Sequence, residues 1–329
     1  MPPISVLIKP SSGMCNMKCD YCFYCDEMKK RMRESYGFMT EQTLKNVIRK
    51  TMFHAEGMIS YAYQGGEPTL RGIAFYEKAM EYQRHYNKCG IRVNNAMQTN
   101  GYLIDDEWCK FFRENHFLIG LSVDGTKQIH DLYRHGRRGE PTFDRIKKAA
   151  ELMDQYGVDY NILTVVTQKT AGHAAEIYNY YKEQGWKYQQ YIACLDPLGE
   201  DRGKTPYALN PEQYGMFLTE LFNLWYEDWK KGEQPYIRQF ENYIGILLGY
   251  QPESCEQRGS CGTQNVVEAD GSVYPCDFYA LDEYKLGNFN CNRLNGEYEN
   301  YFCKSYRIFF DICLERMIQI VEIIKNQKG

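Results

Sequence analysis

The 329-residue sequence lacks any large excess of charge. Thirty-nine Lys and Arg face 43 Asp and Glu, for a formal net charge of −4 and a pI near 6.0. That balance gives no electrostatic case for a nucleic-acid partner, which would call for a basic surface. No apolar run approaches the length of a membrane span. The first twenty residues carry Pro2, Pro3, Lys9 and Cys15 instead of the charged-then-apolar order of a secretory leader. Cysteine, by contrast, is plentiful at 13 residues. In a chain without a leader this favours metal or redox ligation in a reducing cytoplasm over disulfides. Hydrophobic residues make up 43%, enough for a sizeable core, and α/β barrels reach this length as one unit.

Cys15, Cys19 and Cys22 stand in the spacing C-x3-C-x2-C, directly after the apolar run Ile4–Ile8. Three thiolates on one short loop can hold three irons of a cubic 4Fe-4S cluster and leave the fourth without a protein ligand. An iron with an open position can bind and activate a small molecule. Half of a zinc site is the competing use, with Cys25 as the extra ligand.

From Pro3 to Asp196, strand-like runs alternate with amphipathic helical stretches. The expected strands are Ile4–Lys9, Ile59–Gln64, Arg92–Gln98, Leu118–Val123, Tyr160–Val166 and Tyr188–Cys194. The expected helices are Glu41–Phe53, Ile73–Tyr86, Asp106–Asn115, Asp144–Tyr156 and Ala171–Gln184, with starts at Thr40 and Asp105. This alternation predicts a parallel sheet in an α/β fold, a partial (β/α)6 TIM-like barrel whose site gathers at the C-terminal strand ends. Gln64-Gly65-Gly66-Glu67 and Gln98-Thr99-Asn100-Gly101 lie at two of those ends. Two long helical patterns follow, Glu212–Lys230 and Arg238–Leu248, and a boundary near Gln251 divides residues 1–250 from a cysteine-rich unit, 251–329. There Cys255 and Cys261 precede, and Cys276 ends, a hairpin turning at Asp270-Gly271, so that three thiols converge.

The cysteine triplet, with Tyr21 before its last member, resembles the signature of radical S-adenosylmethionine (SAM) enzymes. In that superfamily SAM chelates the open iron, and one electron cleaves it to a 5′-deoxyadenosyl radical. The resemblance implies Cys15, Cys19 and Cys22 as ligands and Gly65, Gly66 and Glu67 beside the SAM amino group. At the remaining strand ends, the Ser122 hydroxyl suits the ribose or amino group and the Arg134 guanidinium suits a carboxylate. Arg134 lies in an arginine-rich run, so a solvated surface charge competes for it. Leu195 could pack on adenine, and Tyr21 could close over the cofactor. Such clusters are oxygen-sensitive, so an anaerobic setting is expected.

The hairpin cysteines resemble the SPASM extension, which carries auxiliary 4Fe-4S clusters. More closely, the chain resembles the anaerobic sulfatase-maturating enzymes, in the opening Pro2–Pro10, in Cys19-Asp20-Tyr21-Cys22-Phe23-Tyr24, in the stretch Asp270–Tyr279, and again at Asn300–Tyr306. It departs after Asn290, where the family runs on through a helix and a C-x2-C-x5-C-x3-C stretch. Here Cys291 follows at once. The resemblance assigns Cys255, Cys261 and Cys276 to a first auxiliary cluster with Cys291 as fourth ligand, and Cys303 to a second, if the intervening segment belongs to the chain.

The activity so implied is conversion of a sulfatase Cys or Ser, in a C/S-x-P-x-R motif, to Cα-formylglycine without oxygen. A deoxyadenosyl radical takes a Cβ hydrogen, Asp277 beside Cys276 takes a proton, and an auxiliary cluster takes an electron. An unfolded or nascent sulfatase would be the partner, and flavodoxin or ferredoxin the electron donor. The alternative is a SPASM peptide maturase forming thioether or carbon–carbon crosslinks. Such enzymes often carry an N-terminal recognition domain, for which a chain opening on its first barrel strand leaves no room.

Overall fold

The computed structural model describes residues 3–253, 255–259 and 264–290. Its strands are β1 Ile4–Ile8, β2 Met17–Cys19, β3 Met58–Tyr63, β4 Arg92–Thr99, β5 Phe117–Ser122, β6 Arg134–Gly136, β7 Asp159–Val166, β8 Tyr188–Ala193, β9 Tyr236–Ile237, β10 Asn265–Val267, β11 Ser272–Tyr274 and β12 Gly287–Asn288. Its helices are α1 Phe23–Lys29, α2 Glu41–His54, α3 Ile73–Tyr86, α4 Asp106–Glu114, α5 Lys127–Tyr133, α6 Phe143–Tyr156, α7 Gln168–Ala171, α8 Ala174–Glu183, α9 Pro211–Trp229, α10 Arg238–Leu247 and α11 Cys255–Arg258.

β1, β3, β4, β5, β7 and β8 form a parallel core, and each coincides within a residue or two with an expected strand. The alternation along β3 explains its two faces. Ile59, Tyr61 and Tyr63 are fully buried, while Ser60 and Ala62 on the opposite face are half-buried. Helices start where short polar side chains meet backbone N–H groups: Thr40 accepts from Thr43 N–H at α2, and Asp105 from Trp108 N–H at α4. Asn210 and Gln213 complete a reciprocal cap at α9.

Two features lie outside the sequence expectations. The C-terminal hairpin continues the main sheet: β10 runs parallel beside β1, pairing Leu7 with Val266 and Ile8 with Val267, and β11 and β12 follow antiparallel. In addition, a separate two-stranded sheet joins β2 to β6 antiparallel, with Cys19 opposite Arg134.

The core under the strands is aromatic. Phe117 is 1% exposed, and its ring centroid lies 5.4 Å from Phe111, 5.7 Å from Phe112 and 6.0 Å from Tyr63. Phe117→Ala is expected to lower stability by about 3–5 kcal/mol. Urea unfolding checks this, as a fall in midpoint at unchanged slope.

Candidate active site

The loop that leaves β1 carries the N-terminal cysteines and is fastened at both ends. Glu67 N–H donates to the Met14 carbonyl at 2.8 Å, and Asp20 N–H to the Tyr133 carbonyl at 3.0 Å. Beneath it runs the turn Gly65-Gly66, with φ of +89° and +54°. A Cβ on Gly66 would stand 2.3 Å from the Met14 carbonyl oxygen, and one on Gly65 would stand 2.6 Å from Lys9 Cε. The glycines are therefore required by the chain's own loop and by Lys9, a reason beyond the ligand approach expected from sequence.

Glu67, 1% exposed, turns its carboxylate inward. Oε1 accepts from Thr69 Oγ1 at 2.6 Å, Thr99 Oγ1 at 2.7 Å and Thr69 N–H at 3.0 Å, and Oε2 accepts from Asn100 N–H at 2.8 Å. Burial raises its pKa, and these bonds oppose the rise. The carboxylate thus braces the ends of β3 and β4.

Cys15, Cys19 and Cys22 are half-buried neighbours. Burial, then the charge of Glu67, pushes the Cys15 thiol up to about 12, and burial pushes Cys19 up to about 11 against the pull of Arg134. Cys22 is raised by its hydrogen bond with Cys25 and by burial. Cys19 and Cys22 also lift Cys15, and Cys22 lifts Cys19. Three thiolates here need a cation, which an iron–sulfur cluster supplies, so the donor set fits one. N–H donors already point at the first sulfur: Met17 N–H lies 3.4 Å and Asn100 Nδ2 3.6 Å from Cys15 Sγ. Asn16 Nδ2 and Arg134 Nε are buried there without a hydrogen-bond partner, two donors suited to an acceptor-rich ligand such as SAM. Among the described residues, no three His, Cys, Asp or Glu side chains already stand together in a metal-holding arrangement.

Arg134 is 6% exposed, which excludes the solvated-charge reading. Its Nη1 donates to Tyr21 Oη at 2.9 Å, Tyr21 donates to Asp124 Oδ2, and Asp124 Oδ1 accepts from Val165 N–H at 2.9 Å. Tyr21 is thereby held as a bridge between cation and carboxylate. Ser122 ends β5 and is 9% exposed, and Leu195, just past β8, is 50% exposed at the mouth.

On the hairpin side, Asp277 is 6% exposed. Its Oδ2 accepts from Tyr24 Oη at 2.5 Å and from Gln64 Nε2 at 3.2 Å, and Oδ1 is buried with no partner. Burial pushes its pKa up to about 6, against Lys9 and the Tyr24 bond. Gln64 is the residue that motif reading passed over. Period-2 alternation along β3 puts it on the same face as Ser60 and Ala62, and that signal was available. Cys276 caps the turn Asp277–Tyr279, and Cys255 is exposed on α11. Cys261, Cys291 and Cys303 lie outside the described residues.

The chain is similar to known proteins in sequence and in fold. Residues 10–181 match the Radical SAM superfamily. The chain is 42% identical to a cysteine-type anaerobic sulfatase-maturating enzyme of Clostridium perfringens, over 99% of this chain and 100% of the relative. That alignment runs to 370 positions against 329 residues here, so the relative carries positions without a counterpart in this chain. A serine-type anaerobic sulfatase-maturating enzyme of Bacteroides thetaiotaomicron is 33% identical over 87% of this chain and 72% of its own length. Among solved structures, native anSMEcpe with bound AdoMet and Kp18Cys peptide superposes with a TM-score of 0.85 at 41% identity, covering 97% of this chain and 99% of that one.

Adding a methyl at Gly66 tests the loop floor. Gly66→Ala should cost about 2–3 kcal/mol, from the disfavoured φ and the clash with Met14. It should also lower the iron bound per chain after anaerobic reconstitution, read by thermal unfolding and iron analysis.

Proposed function

The chain belongs to the radical SAM superfamily and, within it, to the anaerobic sulfatase-maturating enzymes, and from that premise we propose that it converts a sulfatase cysteine to Cα-formylglycine without oxygen. The observation that carries the chemistry is Asp277: a buried carboxylate next to Cys276, with one oxygen held by Tyr24 and Gln64 and the other unengaged.

Cys15, Cys19 and Cys22 would hold the SAM-binding cluster. Tyr21, Gly65, Gly66, Glu67, Ser122, Arg134 and Leu195 would surround SAM, Glu67 by fixing the strand ends and Arg134 through its unpartnered Nε. Cys255, Cys261 and Cys276, with Cys291 and Cys303, would hold auxiliary clusters. When bound, these groups supply a carbon radical that takes a hydrogen atom from Cβ and an acceptor for one further electron. The protein's own contribution is placement and proton transfer. Asp277 Oδ1 takes the thiol proton, which makes the carbon radical easier to oxidise, and loss of one electron leaves a C=S bond. Water then replaces sulfur to give the aldehyde, with release of sulfide. Tyr24 and Gln64 hold Oδ2 so that Oδ1 faces the substrate.

A cysteine target is favoured over serine by the higher identity to the cysteine-type relative, 42% against 33%. A sulfatase segment of C-x-P-x-R type, a flavodoxin or ferredoxin donor and a cytoplasmic setting complete the reading. No described helix is long and apolar enough to cross a membrane.

Reduced, reconstituted protein incubated with SAM and a C-x-P-x-R peptide should release 5′-deoxyadenosine and convert the cysteine to an aldehyde, seen by mass spectrometry. A crosslinked peptide, or deoxyadenosine with unchanged peptide, would sink the assignment. Asp277→Asn should keep deoxyadenosine release while lowering aldehyde formation by roughly 10²-fold or more.

A further inference from the structure

Four buried charges form a closed ring. Lys9 Nζ lies 3.2 Å from Glu27 Oε2 and 3.2 Å from Glu268 Oε1. Arg31 reaches the same two oxygens, Nη2 to Glu27 Oε2 at 2.8 Å and Nη1 to Glu268 Oε1 at 2.7 Å. Lys9, Glu27, Arg31 and Glu268 are 1%, 3%, 5% and 0% exposed. They come from three places: Lys9 from the end of β1, Glu27 and Arg31 from in and just beyond α1, and Glu268 from the turn after β10. The spare oxygens are used too. Glu27 Oε1 accepts from Ala280 N–H at 2.6 Å, and Glu268 Oε2 accepts from Ala269 N–H at 3.2 Å.

Two cations and two anions cancel, so the ring carries no net charge. Buried ion pairs are a weak source of stability, because desolvation offsets most of the attraction, yet they fix orientation where apolar packing does not. Here the oriented parts are the helix after the cysteine loop and the hairpin that carries Cys276 and Asp277. We propose that Lys9, Glu27, Arg31 and Glu268 are positioning residues that lock α1 against the hairpin, and so hold the SAM end of the site at one spacing from the Asp277 end. This rests on the function proposed above.

Glu268→Gln in the reconstituted holoenzyme tests it. Amide hydrogen exchange in α1 and in β10–β11 should quicken together by roughly tenfold or more, because a cation is left unpaired. Aldehyde formed per 5′-deoxyadenosine released should fall at least about threefold, because misplacement wastes radicals. A role in stability alone would lower both products in proportion and leave that ratio unchanged. The paired variant Arg31→Gln with Glu268→Gln restores neutrality. Thermal stability should then recover while the ratio stays low. Recovery of the ratio along with stability, or unchanged exchange in Glu268→Gln, overturns the proposal. Should Glu268→Gln fail to fold, Arg31→Lys keeps the charge and loses the two-pronged contact, and the same two readings decide. If the wild type releases deoxyadenosine but makes no aldehyde, the functional reading fails on its own and the exchange comparison still decides the clamp.

Discussion

One backbone contact sets the rest of the site: the Met14 carbonyl lying on the Gly65-Gly66 turn, held by Glu67 N–H. β1 and β3 pair in register through Ile8 and Tyr63, so both chains leave the sheet side by side. The cysteine loop can fold back over the next strand's exit only if that exit carries no side chains. Any Cβ at Gly66 would meet a carbonyl, a group that cannot swing away as a side-chain tip can. Glu67 then extends the effect. Its carboxylate reaches Thr99 and Asn100 and carries the alignment to the end of β4. A buried carboxylate is tolerable there because both oxygens are used.

The far end of the loop is governed by charge. β2 and β6 are only three residues each, and such a pair is marginal alone. Its register nevertheless brings Arg134 opposite Cys19, where the guanidinium also meets Tyr21 and, through it, Asp124. The cation thus faces a carboxylate on one side and, on the other, the Cys19 thiol, whose ionised form it favours against burial.

What could be read in the sequence follows from range. Strands such as Met58–Tyr63 and helices such as Glu41–His54 declare themselves through local periodicity and caps, and the cysteine spacing declares a cluster within eight residues. Arg134 was visible as a candidate, but Arg137 and Arg138 beside it made a solvated face equally reasonable, and burial alone separates them. The β2–β6 pair gives no signal at three residues per strand. Tyr24 and Gln64 were in view inside larger motifs, but their convergence on Asp277 joins residues more than two hundred positions apart. Glu27 and Arg31 read locally as an ordinary i,i+4 surface pair. Nothing in the sequence links them to Lys9 and Glu268.

That ring also explains why the proposed base can be a base. A lone buried lysine near Asp277 would claim the carboxylate as its ion-pair partner and leave a poor proton acceptor. Lys9 instead divides its ammonium between Glu27 and Glu268, both of which Arg31 also engages. Lys9 still favours the ionised form of Asp277. Burial then outweighs that help and lifts the pKa to about 6, with Glu27 and Glu268 adding to the rise. A carboxyl so poised stays mostly ionised near neutrality, yet it accepts a proton more readily than an ordinary aspartate. The same four charges that fix the hairpin in space therefore leave Asp277 its basicity, which an apolar contact of equal strength could not combine with a defined orientation.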